Sequence, residues 1–193
     1  MDRKKTVLFL ILFFILAVLL VIFFKNTGRE RIKKSGEIPR PAVSGGAPVA
    51  TTMKTVKLFF LREEDGRLVA EDREIASDPS TVREAEETVA ELIKGSKTGL
   101  VSSLPAETKL VQLFITKEGV AYVDFSKDLI EKHPSGSTAE ISTVYSIVNS
   151  LAFNFKLIKK VFILVDGEEK ETLGGHISLD HPFLPDYSLI VKE

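Results

Sequence analysis

Gly174-Gly175-His176 is the stretch of this chain whose residue types come closest to a working site. Glycines let a backbone approach a ligand closely, and an imidazole can act as base or ligand. Asp180 and His181 follow, so a metal site can be drawn on paper. A zinc site needs three protein ligands in defined geometry, however, and paired glycines after a strand ordinarily make a turn or bulge. The reading is therefore a turn whose histidine hydrogen-bonds locally, with Gly174, Gly175 and His176 as binding candidates and no metal. Asp124 and Asp128 have the types for acid-base work, but Asp124-Phe125-Ser126 also reads as a strand end where Asp and Ser cap backbone groups. Asn149 interrupts an apolar helical stripe, and a buried amide there requires partners, most simply the backbone of a neighbouring loop. Asp124, Asn149 and Asp166, the last in a tight turn, complete the binding candidates.

The common enzyme constellations are absent: no nucleophile elbow, phosphate loop, paired-histidine zinc motif or dinucleotide fingerprint occurs. Only His133, His176 and His181 can supply an imidazole, and there is no cysteine, which removes disulfides, thiolate metal sites and a lipid-attachment thiol. The expectation is a protein with no catalytic residues and no cofactor. Lys156, Lys159 and Lys160 cluster beside Phe153 and Phe155, as a docking patch or as cations suited to a helix C-terminus. Beyond Arg40 the chain carries 17 basic against 24 acidic residues. Such an acidic domain repels phosphate backbones, so nucleic acid is not expected as a partner.

The elements that must position these residues read out in order. Val56 to Leu61 and Arg67 to Ile75 flank the turn Glu63-Glu64-Asp65-Gly66 as a first hairpin. Asp78-Pro79 offers a cap and first-turn proline, Thr81 and Glu84 have capping-box spacing, and Val82, Ala85, Val89, Leu92 and Ile93 recur at helical intervals up to Gly95. Lys109 to Ile115 and Val120 to Phe125 form a second hairpin around Lys117-Glu118-Gly119. Ser137 and Glu140 repeat the capping-box spacing ahead of a second helix with the stripe Ile141, Val144, Tyr145, Val148, Leu151 and Ala152. Val161 to Val165 and Glu168 to Leu173 surround Asp166-Gly167, a strong two-residue hairpin signal. The order ββαββαββ predicts an α+β two-layer sandwich, a mixed or antiparallel sheet carrying two helices on one face.

Ahead of this domain, Val7 to Phe24 is an unbroken apolar run of about 18 residues, long enough at about 1.5 Å each to cross a bilayer's hydrocarbon core. The segmentation is a short tail over 1–5, a transmembrane signal anchor over 6–25, a basic Pro/Gly linker over 26–52 and a folded domain over 53–193. A cleaved signal peptide is the alternative, but the run exceeds the usual hydrophobic region and Phe23-Phe24-Lys25-Asn26 offers no small-residue cleavage site. Basic residues flank both ends, so charge alone does not orient the anchor; the short n-region-like tail points to a domain outside the cytoplasm.

The domain resembles the GerMN family of bacterial sporulation and germination proteins. The resemblance runs from Met53 to Pro182 and is carried by Gly119-Val120-Ala121-Tyr122-Val123-Asp124-Phe125-Ser126, by Tyr145-Ser146-Ile147-Val148-Asn149-Ser150-Leu151, and above all by Leu164-Val165-Asp166-Gly167 with Glu171-Thr172-Leu173-Gly174-Gly175-His176-Ile177. It implies an extracytoplasmic envelope domain on an anchored protein and a fold similar to ring-building domains. The expected partners are cell-wall glycan or an envelope protein, the membrane through the N-terminal helix, and further copies of the chain in a homo-oligomer. A wall-polymer hydrolase using His176 or Asp124 is the remaining reading. The family's sporulation member is a lipoprotein; this chain, lacking cysteine, needs its helix instead.

Overall fold

The computed structural model describes residues 52–134 and 136–192. The transmembrane anchor expected over 6–25 and, apart from Thr52, the linker expected over 26–52 lie outside those residues. Among the described residues no helix is long and apolar enough to cross a membrane.

Strand β1 (Met53–Arg62) alternates so that Val56, Leu58 and Phe60 face the core, and it pairs antiparallel with β2 (Arg67–Ala76) from Met53↔Ala76 to Arg62↔Arg67. Gly66, at φ +68°, returns the chain, and the Gly66 N–H donates to Arg62 O at 3.0 Å. Helix α1 (Thr81–Ile93) buries Ala85, Val89 and Leu92 on one stripe. Its N-cap is Ser80, whose Oγ accepts from the Arg83 N–H at 3.5 Å. The Thr81/Glu84 capping box does not form, because the Glu84 carboxylate turns instead to Lys54 Nζ at 2.6 Å and to the Asp78 N–H at 3.3 Å.

Strands β3 (Leu110–Ile115) and β4 (Val120–Phe125) pair antiparallel, with a register shift between Leu110 and Gln112. A short helix α2 (Asp128–Glu131), for which the sequence gives no periodic signal, precedes α3 (Ser137–Asn154), and β5 (Lys160–Val165) then runs parallel to β4. The three-stranded sheet has the order β3-β4-β5, and the β1-β2 hairpin is a separate sheet. One core joins the hairpin's Val56, Leu58 and Phe60, the helices' Val89, Leu92, Val144, Ile147 and Leu151, and the sheet's Val123, Phe125, Ile163 and Val165.

The α+β class and mixed sheet agree with the sequence reading; the single sheet and the eighth element do not. Asp166-Gly167 does turn the chain, with φ values of +57° and +75° and a bridge between Val165 and Glu168. No strand follows over Glu168–Leu173, because Phe183 takes the β5 edge instead. The Val161 N–H donates to Phe183 O at 3.0 Å and the Phe183 N–H to Val161 O at 2.8 Å.

Helix α3 meets β5, β1 and α1, so its polar residues are buried as well as its apolar ones. Asn154 Nδ2 donates to Lys57 O at 2.7 Å while its Oδ1 accepts from the Lys57 N–H at 2.9 Å, and Ser150 Oγ accepts from the Phe59 N–H at 3.1 Å. Alternate residues of a strand turn their backbone groups to the same edge. The helix thus satisfies the outward edge of β1 with side chains, and that edge continues into a two-bond bridge between Leu61 and Val101.

Candidate functional site

The Gly174-Gly175-His176 turn is organised by a residue 36 positions away in the chain. Glu140, in the first turn of α3, is fully buried. Its Oε2 accepts from the backbone N–H groups of His176 at 3.1 Å and Ile177 at 2.9 Å, and its Oε1 meets His176 Nδ1 at 2.7 Å. Burial works to raise the carboxyl's pKa, but the N–H of Ile177 and the ring and N–H of His176 outweigh it and hold the group at about 2. An ionised Glu140 can only accept, so the proton of this contact sits on His176 Nδ1, and the ring's other edge is turned toward solvent on a half-exposed side chain. A Cβ at Gly174 would lie 2.9 Å from Glu140 Oε1, which explains the glycine. The Ser137/Glu140 capping box is therefore replaced by a clasp: the N-cap of α3 is Gly136, with no side-chain cap bond.

The other candidates sit apart from this clasp and hold loops of their own. Asp124, nearly buried on β4, accepts the Gly167 N–H at 2.9 Å, while the Asp166 N–H donates to Phe125 O at 2.8 Å, so both fix the turn after β5. Asp128 accepts from Ser126 Oγ at 3.1 Å and is not coupled to Asp124 through any hydrogen bond among the described residues. Asn149 is fully buried and pinches the C-terminal segment with both ends of its amide: Nδ2 donates to Asp186 O at 2.9 Å, and Oδ1 accepts from the Asp186 N–H at 3.0 Å. Asp180 Oδ1 meets His181 Nδ1 at 2.7 Å and Ser178 Oγ at 2.6 Å. Among the described residues no three His, Cys, Asp or Glu side chains are grouped to hold a metal ion. His133 Nε2 lies 2.7 Å from Thr143 Oγ1, and desolvation lowers the ring's pKa.

Two features have no local sequence signal. Arg73, buried on β2, forms ion pairs with Glu71 and, at 3.0 Å, with Glu91 of α1. Glu71 also takes Ser96 Oγ at 2.7 Å, Thr98 Oγ1 at 2.8 Å and the Lys97 N–H at 3.0 Å. Burial raises this carboxyl's pKa, but those donors bring it down to about 2. The second feature is a groove of about 390 Å³ on the outer face of the β1-β2 hairpin, between Phe59, Ala70, Phe153 and Tyr187. Both assemble residues far apart in the chain, which periodicity and spacing do not connect.

Residues 57–171, more than half of the chain, match the Germane family, described as sporulation and spore germination. Similar solved structures include the following three. A Clostridium perfringens protein described as a lipoprotein is 26% identical with a TM-score of 0.50, over 72% of this chain and 93% of that one. The first GerMN domain of the sporulation protein GerM from Bacillus subtilis is 27% identical with a TM-score of 0.52, over 68% of this chain and 98% of that one. The tandem GerMN domains of the same protein are 25% identical with a TM-score of 0.51, over 68% of this chain and 46% of theirs, as expected for one domain against two. No curated protein matches the chain.

Proposed function

This chain belongs to the Germane family of sporulation and spore germination proteins, and from that membership we propose that it is a membrane-tethered binding module of the bacterial envelope, working outside the cytoplasm without catalysis. The observation that carries a holding role is the use of its polar side chains. Glu140, Asn149 and Asp124, the groups best placed to act on a ligand, are each directed at the protein's own backbone. The similar Clostridium perfringens protein is described as a lipoprotein. In this chain, which has no cysteine, the Val7 to Phe24 run takes the tethering role. Its partner is cell-wall glycan or an envelope protein. The test is to pellet purified wall sacculi with the fragment 50–193 and to measure both bound protein and released wall fragments. Binding without release supports recognition; release of soluble fragments contradicts the non-catalytic reading; no binding directs the search to an envelope protein.

A second reading, self-assembly, has a specific observation behind it. Strand β3 is an edge of the three-stranded sheet and exposes Val111 and Phe114. Phe114 ends a ladder of stacked rings that continues through Tyr122 at 4.7 Å to Phe162 at 5.3 Å. An edge with an open aromatic end is a template for another strand. Sedimentation of the fragment decides the matter: mass rising with concentration supports assembly, and a strict monomer over the accessible range removes it.

A further inference from the structure

In the register of the β1-β2 hairpin Phe59 stands directly opposite Ala70. Cross-strand partners on one face fill space for one another, and a methyl group opposite a phenyl ring leaves a hollow. Phe59 is buried, and meets Phe153 edge-on with centroids 5.5 Å apart; Phe153 meets Tyr187 at 6.1 Å. Phe153 and Tyr187 are 50% and 46% exposed, so the hollow has an apolar floor and open aromatic walls. Ile190 and Val191 close one side, held by the Val191 N–H donating to Leu68 O at 2.8 Å. The resulting groove of about 390 Å³ falls in the size range of small-molecule sites.

The charged residues that line it share one sign. Lys57 and Lys192 are the charged residues lining the groove, and exposed Lys156 follows Phe153 by three positions. Lys57 pairs with Asp72 at 2.9 Å, which lies outside the lining, while Lys192 has no ion pair among the described residues. This basic corner belongs to a domain in which acids outnumber bases, so it complements an anion specifically. Sugar hydroxyls fit the lining poorly, since it offers hydrocarbon, amines and one phenol in place of a dense set of hydrogen-bonding partners. A hydrocarbon chain ending in an anionic head matches both the walls and the amines.

We infer that the groove holds one hydrocarbon chain of a phosphate-bearing membrane lipid, with the phosphate beside Lys57 and Lys192. This site is separate from the wall or protein recognition proposed above and stands or falls independently of it. The fragment 50–193 is suited to the test, because every element of the common core lies within it. Decyl phosphate below its micelle concentration, decyl maltoside and inorganic phosphate are each titrated while the ring NMR signals of Phe153 and Tyr187 are followed; flotation with phosphatidylglycerol vesicles is measured in parallel. Saturable shifts with decyl phosphate, several-fold weaker shifts with decyl maltoside, none with inorganic phosphate, and co-flotation with vesicles are the expected results. Ala70→Phe, which fills the hollow, is expected to weaken decyl phosphate binding at least tenfold. Lys192→Gln, a surface change that spares the core, is expected to bring its affinity down to that of decyl maltoside. The proposal is overturned by the absence of saturable shifts, by saturation with inorganic phosphate alone, by unchanged affinity in folded Ala70→Phe or in Lys192→Gln, or by decyl phosphate binding without vesicle binding.

Discussion

Glu140 is the residue on which the Gly174-Gly175-His176 turn depends, and its chemistry gives the turn a pH limit. Its carboxyl sits at about 2 in the fold against an ordinary 4.5. A depressed acid contributes stability above its unfolded pKa and loses it as pH falls toward the folded value. Glu71 behaves in the same way, also at about 2. Chemical denaturation of the fragment 50–193 is therefore expected to show stability roughly constant above about pH 5 and falling between about pH 4.5 and 2, with on the order of 3 kcal/mol tied to each buried carboxylate. Glu140→Gln keeps the shape but weakens the acceptors; it should cost on the order of 2–3 kcal/mol near neutral pH and flatten the acid limb, as two denaturation series will show. Gly174→Ala brings a methyl to within 2.9 Å of Glu140 Oε1 and is expected to destabilise by about 1–3 kcal/mol, measured the same way. The sequence makes the turn itself legible through its glycines, but not the clasp, because Glu140 has the spacing of a cap and its true partners lie 36 and 37 residues on.

At the scale of elements, the two hairpins and two long helices are legible because each is specified within its own stretch: alternation in β1, Gly66 and Gly119 at positive φ in the turns, and an apolar stripe in α1. The failures are places where another element competes. Glu168–Leu173 has the pattern of a returning strand, yet Phe183 occupies the β5 edge it would need. Helix α3 is read as a helix with Asn149 as a buried amide bonded to loop backbone, as it is, but Ser150 and Asn154, which bond outward to β1, carry no signal in the sequence. Removing one of these amides should loosen only the element it holds. Asn149→Ala leaves the Asp186 N–H without its acceptor, so hydrogen exchange at Asp186 should speed up well over tenfold while amides of β4 and β5 keep their protection. Loss of protection throughout the sheet would instead assign Asn149 to the common core.

In the whole molecule, a family domain whose polar groups hold its own loops follows an N-terminal run suited to a bilayer. The class of fold and the family can be read from the sequence because they rest on local blocks such as Asp166-Gly167 and Gly174-Gly175-His176. A ligand cannot be read that way, since the groove assembles residues from Lys57 to Lys192. Recognition of cell-wall glycan or an envelope protein outside the membrane requires the domain to lie outside the cytoplasm, and the chain's lack of cysteine makes that directly measurable. In the full chain, Glu169→Cys places one thiol on an exposed position of the loop after β5, and a membrane-impermeant maleimide is applied to intact protoplasts and to lysed ones. Equal labelling before and after lysis is the predicted result; labelling that appears only after lysis would place the domain in the cytoplasm and contradict the account.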